Sequence, residues 1–346
     1  MKKIIQFTVI FISIINTLIA APFEVTVIDS AVDFTHKHLA KYQSDYGVYD
    51  VHMDKPLDET KRRLLQFFGE YTHATHVAGI ITSYLSDDNE NNCFINSAYF
   101  VKVGTKVNQE AFDKLENYLN AVNPKIVNLS IAENYKLAIE HTISSHNIKA
   151  SDDPESILTA HNEIQKIFNN HMSLQNKHWI ELFSNFPNTL FVIAAGNDSR
   201  LLSSDPIQTQ AAPKTWDEYK KQLLSGTIPG FKSFVAQIKL PNTITVGSFE
   251  GTKLTLSSFS NYGSSIVDIL ADGEDINSTL PDGKWGLNSG TSMAAPQITG
   301  LAASILESDL NLSVEQLKEE IFNRSQHADV FNSISKHGRY FQNISE

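Results

Sequence analysis

Short apolar runs alternate with helix-like segments along nearly the whole chain, and the architecture that buries both is a parallel β-sheet covered by helices. EVTVID at 24–29, SAYFVKV at 97–103 and KIVNLSI at 125–131 read as strands, and LFVIAA at 190–195 reads as a strand buried on both faces. Residues 74–84 form a small-residue, apolar helix that must be buried. Residues 109–122 place Ala111, Phe112, Leu115, Tyr118, Leu119 and Val122 at helical spacing behind an Asn108 cap. Trp179, Ile180, Leu182 and Phe183 predict a helix that ends before Pro187. Residues 291–306 read as a buried helix that Pro296 should kink, and Ser313 with Gln316 forms a capping box opening a last amphipathic helix through Phe322.

Two stretches break the rhythm. Residues 133–175 are polar, begin a helical signal at Asp153-Pro154-Glu155 and are too long for an ordinary loop; residues 201–240 carry Pro206, Pro213 and Pro229. Both are expected to be surface insertions in one domain over 22–346. No internal repeat and no linker rich in Gly, Ser or Pro marks a second domain.

The first 21 residues have a different character. Lys2 and Lys3 precede an almost wholly apolar stretch from Ile4 to Ile19, and Ala20-Ala21 supplies small residues for a peptidase to cut. This is the pattern of a secretory signal peptide, and Gln6, Ser13 and Asn16 interrupt it as a membrane anchor. A secreted or periplasmic protein, with no stable membrane insertion after signal removal, is the expectation. With 28 Lys and Arg against 39 Asp and Glu, the net charge of −11 excludes a basic nucleic-acid binder on bulk electrostatics. Cys93 is the only cysteine, which excludes an internal disulfide, a four-cysteine zinc site and a Cys-x-x-Cys redox pair.

Three motifs each put a reactive side chain at the end of an expected element. Asp29 ends the first strand in Val27-Ile28-Asp29-Ser30-Ala31-Val32-Asp33, His73 opens the buried helix in His73-Ala74-Thr75-His76-Val77-Ala78-Gly79, and Ser292 opens another in Asn288-Ser289-Gly290-Thr291-Ser292-Met293-Ala294-Ala295-Pro296. Strand carboxyl ends and helix N-termini are where sites form in open α/β sheets. Serine is a poor nucleophile until a neighbouring base takes its proton. An imidazole can do that near neutrality, and a buried carboxylate on its other nitrogen fixes the tautomer. The tetrahedral intermediate also needs a hydrogen-bond donor, for which Asn197 in Ala194-Ala195-Gly196-Asn197 is the candidate.

In order and wording these motifs resemble the subtilisin-like serine proteases, the subtilase family, from about Val25 to Asn343 apart from the two insertions. Ser257-Ser258-Phe259-Ser260-Asn261-Tyr262-Gly263 and Gly300-Leu301-Ala302-Ala303 also read like that family. The chain order Asp, His, Ser separates this resemblance from α/β-hydrolases, which run Ser, acid, His. The resemblance implies a three-layer subtilisin-like α/β fold, with a mainly parallel central sheet covered by helices on both faces. It implies a serine endopeptidase acting on polypeptides through an acyl-enzyme: Asp29 orients, His73 is general base and then acid, Ser292 is the nucleophile, and Asn197 is the oxyanion donor. Ser130, Ile131 and Ala132 would pair with an extended substrate by strand addition and, with Ala195 and Gly196, wall the pocket before the scissile bond. Such small walls suit a large apolar side chain, while Asp198 at the rim could draw a basic one.

The chain departs from the family pattern in having Ala31, Ala74 and Ala132 where glycine is usual, and Ala132 would narrow the cleft. Asp29 lies only eight residues past Ala21, which leaves no room between signal and domain for a folding propeptide. These departures motivate the alternative of a catalytically inactive binding protein on a subtilase scaffold, using the insertions as its interface. No metal site is expected: His73 and His76 lack the His-Glu-x-x-His pattern and a carboxylate third ligand, and His36 and His38 shape a turn. No cofactor is implied. Structural calcium would suit the family, but no loop can be assigned to it.

Overall fold

The computed structural model describes residues 22–67, 69–86, 92–100, 108–131, 135–202, 213–226, 228, 230–232 and 235–342. The expected signal peptide lies outside these residues. The first half of the chain runs β1 (Phe23–Asp29), α1 (Lys37–Ala40), β2 (Gln43–Asp50), β3 (Lys55–Pro56), α2 (Glu59–Phe67), α3 (Thr72–Thr82), β4 (Cys93–Tyr99), α4 (Gln109–Val122), β5 (Ile126–Leu129), α5 (Tyr135–Ser145) and α6 (Pro154–Asn185). The second half runs β6 (Leu190–Ala194), α7 (Trp216–Leu224), β7 (Thr243–Glu250), β8 (Thr255–Leu256), β9 (Ile269–Asp272), β10 (Ile276–Leu280), β11 (Lys284–Asn288), α8 (Thr291–Ser308), α9 (Val314–Asn323), β12 (Gln326–His327) and β13 (Arg339–Phe341).

The main sheet has the order β12-β13-β9-β7-β6-β5-β1-β4-β2-β3 and is parallel from β13 through β2. Alternation along its strands separates two apolar layers. Val25 and Val27 of β1 and Val192 of β6 face Val77, Ile81, Ile298 and Leu317 on α3, α8 and α9. Ile28, Phe191 and Ile193 face Phe112 and Leu115 on α4 and Trp179 and Phe183 on α6. The chain therefore has the three-layer α/β architecture, with period-two alternation supplying both faces of the sheet.

The strand expected at 97–103 is β4, and it begins at Cys93. Its start is set by β1, whose Phe23–Asp29 pairs residue for residue with Cys93–Tyr99. Residues 101–103 lie outside the described ones. The Asn108 cap accepts from Ala111 N, and both halves of the Ser313–Gln316 capping box form.

The described parts of 133–175 and 201–240 share an apolar core of their own, in which Tyr135, Ile139, Ile164, Phe168 and Met172 pack with Tyr219, Leu223 and Phe231. Asp153 caps α6, which then runs for 32 residues through position 175 into the helix expected around Trp179. One helix thus belongs both to this helical annex and to the layer beneath the sheet.

Helix α3 packs on the hairpin of β10 and β11 through its small residues. Ser278 Oγ donates to His76 O at 2.7 Å and Thr279 Oγ1 donates to Thr75 O at 2.7 Å. A Cβ on Gly79 would strike both hydroxyls and lie 3.0 Å from the backbone nitrogen of Thr279. Gly79→Ala gains about 1 kcal/mol of helix propensity, but overpacking costs about 1–3 kcal/mol, and the hydroxyls cannot turn away without losing their bonds. The expected result is a lower melting temperature with the fold retained. An equal or higher one in a thermal melt would contradict this packing.

Candidate active site

The order of strands reverses at β1: β2 and β4 lie on one side of it, β5 and β6 on the other. Such a reversal opens a crevice at the carboxyl ends of the strands. Asp29 ends β1, Ser130 follows β5, and Ala195 follows β6, so all three reach that edge.

Asp29 is 2% exposed, and its Oδ1 accepts from Ser30 N at 2.6 Å. Its two oxygens lie 2.8 and 2.9 Å from His73 Nδ1, and the imidazole is 39% exposed. A carboxylate can only accept, so Nδ1 carries the proton, and in the neutral ring Nε2 is left with its lone pair. The negative charge of Asp29 raises the pKa of His73, burial opposes it, and the hydrogen bond adds to the rise. Ser30 fixes where the helix starts: its Oγ accepts from Ala74 N at 3.1 Å.

Ser292 is the second residue of α8, after Gly290 as cap. Its Oγ donates to Ser130 O at 2.9 Å, and Ser130 Oγ donates back to Ser292 O at 3.1 Å. Ser292 O is available because Pro296, four residues on, has no N–H to offer it. No hydrogen bond joins Ser292 to His73. The structure therefore brings His73 together with Asp29, and Ser292 together with Ser130.

Asn197 Oδ1 accepts from both Thr291 N and Thr291 Oγ1 at 2.9 Å. The N–H is only a donor, so Oδ1 must face it, and the Nδ2 group is turned the other way. Gly290 has φ 154° and ψ 163°, a region that belongs almost to glycine alone, and a Cβ there would stand 3.2 Å from Asn197 Nδ2. Its missing side chain keeps that donor clear, beside the first turn of the helix that carries Ser292.

Ala195 and Gly196 are buried and their backbone groups are committed inside the protein. Ala195 N donates to Val246 O and Gly196 N donates to Thr291 Oγ1, while their carbonyls accept from Asn261. They can line a pocket but not pair with a strand. Ser130 is buried and Ile131 half-buried, while Ala132 lies outside the described residues. Asp198 turns toward the annex: its carboxylate faces Tyr135 N at 3.3 Å and Asn261 Nδ2 at 3.4 Å.

The other histidines of the region have structural partners. His36 Nδ1 accepts from His38 N at the start of α1, and its Nε2 meets Lys284 O at 3.2 Å. His76 Nε2 meets Gly286 O at 3.1 Å, and burial holds the pKa of this ring down. Cys93 is buried, and its thiol pKa is pushed up by that burial. Among the described residues no group of three or more His, Cys, Asp or Glu is placed to hold a metal ion.

Sequence reasoning gave no role to Ser30 or Thr291, although both stood inside quoted motifs. A polar residue adjoining each reactive one was the available signal. What it could not supply was the partner, which lies 44 residues away for Ser30 and 94 for Thr291.

A family model described as the subtilase family matches residues 23–338. Proteinase T of Parengyodontium album is 52% identical over 62 residues, which cover 18% of this chain and 20% of that protein. Subtilisin NAT of Bacillus subtilis subsp. natto is 40% identical over 83 residues, covering 24% of this chain and 21% of that one. The matched stretch thus spans about a fifth of these curated relatives. The crystal structure of a cold-adapted subtilisin-like serine proteinase superposes with a TM-score of 0.55 at 19% identity, covering 94% of this chain and 90% of the other. At that identity the likeness concerns the fold.

Proposed function

The chain belongs to the subtilase family, and from that premise we propose that it is an exported serine endopeptidase, hydrolysing peptide bonds through an acyl-enzyme on Ser292. The observation that carries this reading is the pairing of His73 Nδ1 with both oxygens of buried Asp29, which leaves Nε2 as the base. Ser292 Oγ turns about its Cα–Cβ bond from Ser130 O to His73 Nε2, gives up its proton and attacks the substrate carbonyl. The oxyanion so formed takes a hydrogen bond from Asn197 Nδ2. His73 then returns the proton to the leaving amine, and a water molecule resolves the ester by the same route.

Polypeptide substrates follow from the family. Asp198 turns toward Tyr135 and Asn261, which favours a neutral, apolar side chain before the scissile bond over a basic one. Export rests on the composition of residues 1–21, and no helix among the described residues is long and apolar enough to cross a membrane.

A fluorophosphonate probe tests the proposal. Peptide mapping should find the label on Ser292, and a folded protein that takes none would remove the acyl-enzyme. The hydrogen bond of Ser292 to Ser130 instead of His73 favours one other reading, a catalytically silent binding scaffold, and labelling of Ser292 would exclude it.

The pH profile has a definite sign. Protonated His73 cannot accept the serine proton, and Asp29 raises its pKa above the ordinary 6.5. The acid limb of kcat/KM is therefore expected above that value, with activity lost as pH falls through it. The same pair stabilises the fold most at low pH and loses that contribution as pH rises through the raised pKa. A limb centred at or below 6.5 would show that burial outweighs the carboxylate.

A further inference from the structure

Asn261 lies in the connection between β8 and β9 and is 1% exposed. Apart from its carbonyl, which accepts from Ser260 Oγ at 2.8 Å, its polar groups go to one loop. Its N–H donates to Gly196 O at 2.9 Å, and its Nδ2 donates to Ala195 O at 2.9 Å. Its Oδ1 accepts from Asp198 N at 3.1 Å and from Arg200 N at 2.9 Å. The partners flank Asn197 on both sides, and Asn197 itself is left at the exposed tip. Without the Asn261 side chain, three backbone groups around that tip, Ala195 O, Asp198 N and Arg200 N, would lose their bonds together.

The loop needs such a hold, because its own geometry is unfavourable. Ser199 has φ 55°, a left-handed conformation that serine rarely adopts, and Gly196 at φ 98° has the conformational freedom of glycine, so an unrestrained chain would not stay in this one arrangement. A donor for an oxyanion must be fixed before the charge develops, since reorganisation during the reaction cancels its value. Thr291 holds the side chain of Asn197 from one side, and Asn261 holds its backbone from the other.

We infer that Asn261 is a positioning residue for Asn197, fixing the oxyanion donor without touching the substrate; this rests on the reading of Asn197 as that donor. Its route to kcat runs through Asn197, whereas an effect through the pocket wall at Ala195 and Gly196 would appear in KM.

A double-mutant cycle on the full chain tests it, measuring kcat and KM on a peptide substrate for Asn197→Ala, Asn261→Ala and the pair. Asn197→Ala is expected to lower kcat by about 10²–10³-fold, as loss of an oxyanion donor does. Asn261→Ala is expected to lower kcat by about 10–100-fold with little change in KM, the scale of an ångström-sized displacement at a reacting centre. In the Asn197→Ala background its further cost should shrink to about twofold or less, because nothing remains to be positioned. The same factor in both backgrounds, or an unchanged kcat in the single variant, overturns the inference. If Asn197→Ala itself leaves kcat unchanged, the oxyanion reading falls first and takes the inference with it. Asn261→Asp, which keeps the oxygen accepting from Asp198 and Arg200, serves the same cycle with the same criteria if the alanine variant does not fold.

Discussion

Ser292→Ala is expected to abolish peptide hydrolysis, with turnover falling on the order of 10⁶-fold, the scale on which removing the nucleophile acts in a subtilisin. The loss is total in practice because the remaining groups have nothing to activate: His73 and Asp29 would keep their bond and Asn197 its place. The substitution should hardly affect folding. It removes one hydrogen bond, from Ser292 Oγ to Ser130 O, worth about 1 kcal/mol, while the reciprocal bond from Ser130 Oγ to the backbone of residue 292 survives. A casein assay on both proteins, with a thermal melt beside it, separates the two effects. Equal hydrolysis by the variant would remove Ser292 from the mechanism.

Asp29→Asn should cost about 10⁴-fold, the loss that the same exchange produces in a serine protease of unrelated fold. The asparagine oxygen can still accept from Ser30 N, so the strand end stays in place. Its amide nitrogen, however, would donate to His73 Nδ1 and force the ring proton onto Nε2, the atom that has to receive the proton of Ser292. A second consequence follows from the charge. With the carboxylate gone, the main cause of the raised His73 pKa is gone too, so the residual activity should keep its acid limb at lower pH than the parent. A rate profile of the variant that retains the parent's acid limb would show that another group sets it.

Much of this was legible in the sequence because it was local. The apolar rhythm located β1, β5, β6, α3, α4 and α8, and the caps at Asn108 and Ser313 were readable from a few residues each. The annex was less legible. Ile157, Ala160, Ile164, Phe168 and Met172 follow one another by three or four positions, a helical stripe that continues to Trp179, but polar neighbours dilute it and only its start at Asp153-Pro154-Glu155 stands out in the sequence. The start of β4 was missed because pairing with β1 decides it, not its own composition. Candidate site residues were legible in their motifs one by one. Their mutual arrangement was not, since the hold of Asn261 on residues 195–200 and the turn of Ser292 toward Ser130 depend on counting polar atoms across distant loops.

A proline inside a helix is ordinarily a cost to the fold, about 3 kcal/mol against alanine in a helix interior, so exchanging it for alanine would ordinarily make the helix sturdier. At position 296 that repair would introduce an amide competing with the Ser130 hydroxyl for the backbone oxygen of residue 292. Gain in robustness and loss of registry between strand and helix would then come from one and the same change. In this molecule the weak point of the helix is where its reactive end is fastened to the sheet.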